Sequence, residues 1–327
     1  MAASLTLPSL QRAIIQVDDI GTLGQIYDRA VPVPGPSHVL IKVAAVALNP
    51  CDWKMSSAFP SKGASCGSDF AGCVVKLGEN VTHLAVGDRV AGAVHANNPI
   101  NPTSGAYAQY ATVDSQLLWP IPSDISWGTP EAPVEKSPFV LVYGGSSANG
   151  TIAIQLLKLS GYRVVTTCSP HNFELVESLG AEKAFDYKSP TCALDIRVYT
   201  SDKLKYVIDI IAEAKTLKLC YAAIGRAGGR YVGFELIPEE LASLRKTVKA
   251  SWVLGIRMAG AEMALGKGYG HPANAELVGD WVRDGKIKAH PQVVHPEGLD
   301  GIIRGIEQLR RREVSGSKMV YAIDPSM

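Results

Sequence analysis

Residues 139–169, FVLVYGGSSANGTIAIQLLKLSGYRVVTTCS, decide the fold. Phe139 to Tyr143 is a short apolar run rich in β-branched and aromatic residues, the pattern of a strand buried on both faces. Gly144 and Gly145 follow at once, then Ser146, Ser147, Ala148, Asn149 and Gly150. The apolar period then changes: Ile152, Ile154, Leu156, Leu157 and Leu159 have helical spacing, and Gly161 stops the helix. Arg163 to Cys168 supplies a second strand and completes a β-turn-α-β unit. Small residues at such a turn let the backbone approach a pyrophosphate, and the helix N-terminus offers free N–H groups and a positive dipole end. The spacing is G-x-x-S-x-x-G, from Gly144 through Ser147 to Gly150, and not G-x-G-x-x-G. In this strand-helix-strand context it points to a dinucleotide site, with a plain packing turn as the alternative.

The end of the second strand bears on which dinucleotide. An NAD site places Asp or Glu there, about twenty residues after the glycines, to hold the ribose 2′-hydroxyl. This chain has Cys168, Ser169, Pro170, His171 and Asn172. With no carboxylate to repel it, a 2′-phosphate can accept hydrogen bonds from Ser169, Asn172 and backbone amides, and Lys188 can add positive charge. Ser169-Pro170 also reads as a simple turn and helix cap. NADP(H) is the expected cofactor.

A chain of 327 residues has room for two domains. Hydrophobic residues make up 46% and charged residues 19%, an ordinary globular balance, and a net charge of +1 gives no reason to expect nucleic acid or a membrane surface. Apolar runs break well before membrane-spanning length, and no signal peptide is expected from the opening residues. The six cysteines are scattered with no C-x-x-C, so neither a zinc ribbon nor a disulfide framework is indicated, and a reduced, cytoplasmic setting is expected.

Short strands and frequent turns to about residue 125 imply a small barrel-like β domain. Within it, Val39 to Val46 is an apolar strand ending at Leu48-Asn49-Pro50, and Cys51-Asp52-Trp53-Lys54 comes next, where a strand end can project side chains into a cleft. Residues 126–137 are polar and read as a connector. The α/β pattern continues with a helix from His171 to Leu179, strands over Ala184 to Tyr187 and Tyr206 to Ile211, and a helix from Ala214 to Ile224. Strands follow over Arg230 to Phe234 and Ala250 to Leu254. A helix over Glu276 to Asp284, an amphipathic helix over Leu299 to Arg312 and a strand over Lys318 to Ile323 end the chain. Arg310-Arg311-Arg312 reads as a solvated helix C-terminus favoured by the dipole.

Taken in order, Asn49-Pro50-Cys51-Asp52, Gly67-Ser68-Asp69-Phe70-Ala71-Gly72, Gly87-Asp88-Arg89-Val90 and the Gly144 loop resemble medium-chain dehydrogenases/reductases of the quinone-reductase-like branch. Cys51-Asp52-Trp53-Lys54, Tyr143-Gly144-Gly145-Ser146-Ser147, Ser169-Pro170-His171-Asn172, Asp186-Tyr187 and Gly228-Gly229-Arg230-Tyr231-Val232 look most like the trans-acting enoyl reductases of fungal polyketide pathways, of the lovastatin type. The resemblance spans nearly the whole chain. It implies an α/β protein: a GroES-like β-barrel substrate domain over 1–125 and 287–327, and a Rossmann domain with a doubly wound parallel sheet over 126–286. NADPH is expected in the cleft between them. Carried over residue by residue, the cofactor site comprises Cys51, Asp52, Trp53, Lys54, Gly144, Ser146, Ser147, Ala148, Asn149, Ser169, Pro170, His171, Asn172, Tyr187, Phe234, Glu235, Met319 and Val320. Tyr143, Gly144, Gly145, Gly255, Met258 and Gly260 line the substrate path.

Zinc-dependent relatives use Cys, His and Glu/Asp ligands and a four-cysteine lobe. Here Gly67-Ser68-Asp69 stands where the His-Glu pair would be and the lobe is missing, so no metal is expected. Two stretches, 126–137 and 266–273, are shorter than the resemblance implies, which bears on the acyl-pocket wall more than on the cofactor site. Enoyl reduction delivers hydride to the β carbon and a proton to the α carbon of an unsaturated thioester, with negative charge growing on the thioester oxygen. Lys54 is the candidate catalytic residue, to polarise that oxygen, contact the cofactor or relay a proton; a solvated lysine is the alternative. Cys51 reads as a small buried residue, and no residue stands out as the proton donor. The expected partners are a polyketide synthase or acyl carrier protein and its acyl chain, neither nucleic acid nor membrane, with the protein a monomer or weak dimer. A stand-alone quinone or small-enone reductase is the runner-up, and a catalytically silent scaffold the reading from another class.

Overall fold

The computed structural model describes residues 7–120, 137–253, 281 and 284–324. Gly255, Met258, Gly260, the 266–273 stretch, most of the 126–137 connector and most of the 276–284 helix lie outside the described residues.

β1 (Leu10–Gln16) and β2 (Leu23–Ala30) make an antiparallel pair. β3 (His38–Ala47) is followed by α1 (Pro50–Ala58), then by β4 (Asp69–Leu77), β5 (Arg89–Ala93), β6 (Tyr110–Asp114) and β7 (Leu118–Pro120). β3 pairs antiparallel with both β4 and β6. Its side chains Val39, Ile41, Val43 and Val46 turn inward with Val74, Val90, Tyr107 and Val113 to fill the barrel. Each such aliphatic side chain contributes about 1.5–3 kcal/mol by leaving water.

β8 (Phe139–Tyr143), α2 (Ala148–Leu159), β9 (Arg163–Cys168), α3 (Phe173–Ser178), β10 (Lys183–Asp186) and α4 (Cys192–Tyr199) open the second sheet. β11 (Tyr206–Asp209), α5 (Ala214–Ala223), β12 (Gly229–Gly233), α6 (Glu239–Ala242) and β13 (Val248–Trp252) continue it. All six strands run parallel in the order β10-β9-β8-β11-β12-β13. β8 is buried throughout because both faces are covered. Leu141 and Tyr143 pack with Ile196 and Leu217 on one side, and Val142 packs with Ile154 and Val176 on the other. Strand order reverses beside β8, and in open α/β sheets ligands bind at the carboxyl ends of the strands at that point.

β14 (Gln292–His295), α7 (Leu299–Arg310) and β15 (Lys318–Ala322) return the chain to the first sheet, where β15 pairs antiparallel with β3. In α7, Leu299, Ile302 and Ile306 enter the barrel core. Of the three arginines at its end, Arg310 and Arg311 pair with Glu307, but Arg312 pairs with Glu213 at the start of α5. The basic run is thus partly a contact between the two domains.

Several local expectations shift. The helix expected from His171 is a 3₁₀ turn over Pro170–Asn172 before α3. The strands expected at Arg230 to Phe234 and Ala250 to Leu254 lie at Gly229–Gly233 and Val248–Trp252. Cys51 to Lys54, expected just past the strand end, belong to α1. Its start was legible: Asn49 at the cap, Pro50 at the first helical position and Asp52 two residues on are helix-start signals.

Candidate active site

The turn between β8 and α2 is built for close backbone approach. Gly144 has φ +84°, and a Cβ added at Gly145 would overlap the Thr166 hydroxyl, while one at Gly150 would overlap the Gly144 carbonyl. Ser147 caps α2: its Oγ accepts the Gly150 N–H at 3.1 Å and donates to the Gly144 carbonyl at 2.7 Å. The first turn of a helix leaves its amides without intrahelical acceptors, here those of Ala148 and Asn149. The turn therefore fits a pyrophosphate by shape and by dipole. Tyr143 is buried beneath it, and Ser146 is half-buried on its rim.

At the end of β9, the Ser169 hydroxyl lies 3.4 Å from that of Tyr187, whose ring packs against Tyr143. The Lys188 ammonium lies 5.8 Å from the Tyr187 ring centre. Pro170 opens the 3₁₀ turn. His171 and Asn172 look elsewhere: both side chains hydrogen-bond the Ser315 hydroxyl, at 3.1 and 2.9 Å, and Asn172 is buried there. Its side chain is committed to a contact between the two domains, so the hydroxyls of Ser169 and Tyr187 and the Lys188 ammonium are the groups left at this end.

Across the cleft, α1 divides its residues. Asp52 is fully buried and accepts hydrogen bonds from the Asn49 N–H at 2.7 Å, Ser68 Oγ at 2.6 Å and Tyr107 OH at 2.5 Å. Its side chain holds the entry of α1 to the barrel and faces away from the cleft. Cys51 is exposed as a residue, not buried as its sequence suggests, but its Sγ turns in to lie 3.3 Å from Ser68 Oγ, where desolvation with the Asp52 charge pushes the thiol up to about 12, away from a thiolate. Trp53 packs on the barrel core. Asp69 accepts from Asn49 Nδ2 at 2.8 Å and from Lys318, which also contacts Asn49. Met319 is buried in the barrel core, and its carbonyl accepts the Leu48 N–H; Val320 pairs with Ala47. Among the described residues no group of three or more His, Cys, Asp or Glu is placed to hold a metal ion.

Burial pushes the Asp52 carboxyl up to about 6, against the pull of its three donors. The native state thus binds a proton more readily than the unfolded chain. The stabilisation is complete below about pH 4 and is lost as pH rises through 6. At about 1.4 kcal/mol per pH unit, wild type should lose roughly 2 kcal/mol relative to Asp52→Asn between pH 4 and 6.5. Urea unfolding of both proteins across that range checks it; a constant difference would show that Asp52 ionises normally.

Lys54, on the cleft side of α1, reaches the Glu235 carboxylate at 2.6 Å, two residues beyond β12. Phe234 lies between, half-buried. The ion pair joins α1 to the carboxyl end of β12, on the same edge of the sheet as the Gly144 turn but two strands along from β8. Sequence reasoning missed Asp209, fully buried at the end of β11. It accepts from the Ile211 and Ala212 N–H groups and from the hydroxyls of Thr216 and Tyr231, at 2.5–3.0 Å. These bonds hold Ala212 at φ +53° and set Ile211 against Gly144. Burial raises the Asp209 carboxyl above its ordinary range. An aspartate ending a strand, with Thr216 one helical start further on, was the available signal.

A barrel, a parallel sheet with its switch point under a small-residue turn, and a lysine across the intervening cleft define the class of medium-chain dehydrogenases/reductases. Residues 35–123 match the alcohol dehydrogenase GroES-like domain family and residues 148–265 the zinc-binding dehydrogenase family. The chain belongs to the trans-enoyl reductases and is an oxidoreductase. The trans-enoyl reductase mycC of Thermothelomyces thermophilus is 49% identical to it over 99% of this chain and 100% of that protein. The trans-enoyl reductase xenG of Xenoacremonium sinensis is 47% identical over 97% and 96%. The alignment with the Thermothelomyces protein runs over 371 positions, longer than this chain, so the relative carries residues that are missing here. In fold, the chain is similar to the quinone oxidoreductase from Coxiella burnetii, with TM-score 0.73, 23% identity and coverage of 96% and 99%. A mycobacterial protein solved in complex with NADPH gives TM-score 0.75, 21% identity and coverage of 95% and 99%. Among the described residues no helix is long and apolar enough to cross a membrane.

Proposed function

We propose that this protein is an NADPH-dependent trans-acting enoyl reductase that reduces the α,β-double bond of a polyketide intermediate borne on a carrier protein. The observation that carries this reading is the Lys54–Glu235 pair, which sets an ammonium group from the barrel domain at the carboxyl edge of the parallel sheet that also carries the Gly144 turn. Residues 1–125 and 287–327 serve as the substrate domain and 126–286 as the cofactor domain.

Gly144, Ser146, Ser147, Ala148 and Asn149 would hold the pyrophosphate, and Ser169, Tyr187 and Lys188 the 2′-phosphate. The bound nicotinamide supplies hydride. The chain's own part is to place the enoyl group and to set the Lys54 ammonium where charge builds on the thioester oxygen, an effect strengthened in a site shielded from water. Release from Glu235 lets Lys54 turn to that oxygen. Remote contacts along the acyl chain then help position the reacting carbons.

The reading is tested by comparing kcat/KM for a short free enoyl thioester, a longer free enoyl thioester, an enoyl chain on a carrier protein, and a small quinone. Activity should rise in that order to the carrier-borne chain. A quinone as best substrate, with no gain on carrier attachment, would replace this function with quinone reduction.

Cofactor choice has its own test. Ser169 stands where an acid would favour NAD, so NADPH should bind at least about tenfold tighter than NADH, ~1.4 kcal/mol. Ser169→Asp sets a negative charge beside the 2′-phosphate and should remove most of that preference by weakening NADPH alone. Fluorescence titration with both cofactors reads the change; unaltered NADPH affinity would place the 2′-phosphate elsewhere.

A further inference from the structure

The chain as a whole is nearly neutral, with 32 basic and 31 acidic residues, yet one edge of the molecule is not. No acidic residue occurs between Glu213 and Glu235, nor between Glu240 and Glu262. These stretches enter β12 and β13, whose amino ends lie side by side with that of β11. Register sets Tyr206, Arg230 and Lys249 in one row across the three strands. Lys203 and Lys205 precede β11, Lys246 precedes β13, and Lys218 stands on α5 beside Arg245, around a cavity of about 410 Å³. All six cations, Lys203, Lys205, Lys218, Arg230, Lys246 and Lys249, are exposed. None has a carboxylate partner among the described residues. Asp202, the residue before Lys203, is already shared by Arg197 and Arg226. Two apolar side chains, Tyr206 and Leu244, stand exposed within the same edge, at 39% and 55%.

We propose that this edge, formed by the amino ends of β11, β12 and β13, docks an acidic protein surface of the polyketide synthase. The inference rests on the trans-acting reading above. Exposed apolar side chains within a ring of like charge match the anatomy of a protein–protein interface, a dry centre with a charged rim. Unpaired charge of one sign steers a partner of opposite sign and rejects partners of its own. Two copies of this chain meeting edge to edge are therefore disfavoured, since two such edges repel. The position also suits the task. Parallel strands run from this edge to the cleft, and five residues of β12 span about 17 Å. A synthase held here leaves the cleft open at the far end for the carrier's acyl arm.

The test uses the triple variant Lys205→Glu/Arg230→Glu/Lys249→Glu, none of whose positions touches the site. Turnover is measured with a short free enoyl thioester and with an enoyl chain loaded on an intact fungal polyketide synthase, at low and at physiological salt. Binding to that synthase is measured directly alongside. The variant should keep its rate on the free thioester within twofold, lose tenfold or more in kcat/KM on the synthase-borne chain, and lose the salt dependence of binding. Synthase binding and turnover unchanged by the charge reversal would overturn the proposal, as would loss of affinity for duplex DNA or anionic vesicles alone. If wild type shows no gain for the synthase-borne chain, the functional reading fails, and the binding arm still decides whether the edge docks the synthase. Should charge reversal impair folding, Lys205→Gln/Arg230→Gln/Lys249→Gln gives the same readout, with a smaller loss.

Discussion

Lys54→Met lowers kcat by a hundredfold or more while leaving cofactor affinity and thermal stability close to those of wild type. The methionine keeps the length of the stem and removes only the ammonium. If that ammonium meets the thioester oxygen as charge develops, its loss should cost what removal of one oxyanion donor costs elsewhere, about 10²–10³ in kcat. Stability offers no alternative explanation. Lys54 and Glu235 are both about two-fifths exposed, and a pair so open to water is worth only about 0–1 kcal/mol. Glu235→Gln separates holding from catalysis, because it frees the ammonium without removing it. It should change kcat far less than Lys54→Met and should shift KM more than kcat. Single-turnover reduction of an enoyl thioester by both variants, with melting curves beside it, reads the two effects apart. Unchanged kcat in Lys54→Met would leave Lys54 a solvated lysine at the cleft rim.

Gly145→Ala should damage stability and cofactor binding together. The added methyl would overlap Thr166 Oγ1 and press on Ile154, and neither can yield easily. Thr166 is fully buried and its hydroxyl donates to the Val142 carbonyl at 2.7 Å, so displacing it strips a buried hydroxyl of that bond. Overpacking of this kind costs about 1–3 kcal/mol. The backbone it displaces is the turn that should cradle the pyrophosphate, so cofactor affinity falls with stability. Thr166→Ala makes room for the methyl, and Gly145→Ala/Thr166→Ala should recover part of both losses relative to the sum of the single changes. Cofactor titration and thermal melting of the four proteins complete the cycle. Additive losses would mean that the turn relaxes by another route.

What the sequence alone determined is local and periodic. Phe139 to Ser169 specified strand, turn, helix and strand because a continuous apolar run, a cluster of small residues and a change of period each have one backbone solution. Gly144, Ser147 and Gly150 were legible as a small-residue turn between strand and helix for the same reason, and Ser169 as a strand-end position with no acid beside it. Asn49-Pro50 with Asp52 carried a helix start that the preceding apolar strand obscured.

Tertiary structure alone decided which way the side chains of that helix point. Asp52 and Lys54 are two residues apart, about 200° around a helix, so one enters the barrel and the other the cleft. Nothing in the sequence paired Lys54 with Glu235, 181 residues on, or Asn172 with Ser315, because such contacts depend on how two separately folded sheets meet. The Asp209 network is of the same kind. A strand-ending aspartate is unremarkable until Thr216 and Tyr231, brought in by a helix and a neighbouring strand, converge on it in the dry interior. Likewise, the cations of the basic edge are spread over some fifty residues of sequence, and only the parallel register of β11, β12 and β13 sets them side by side.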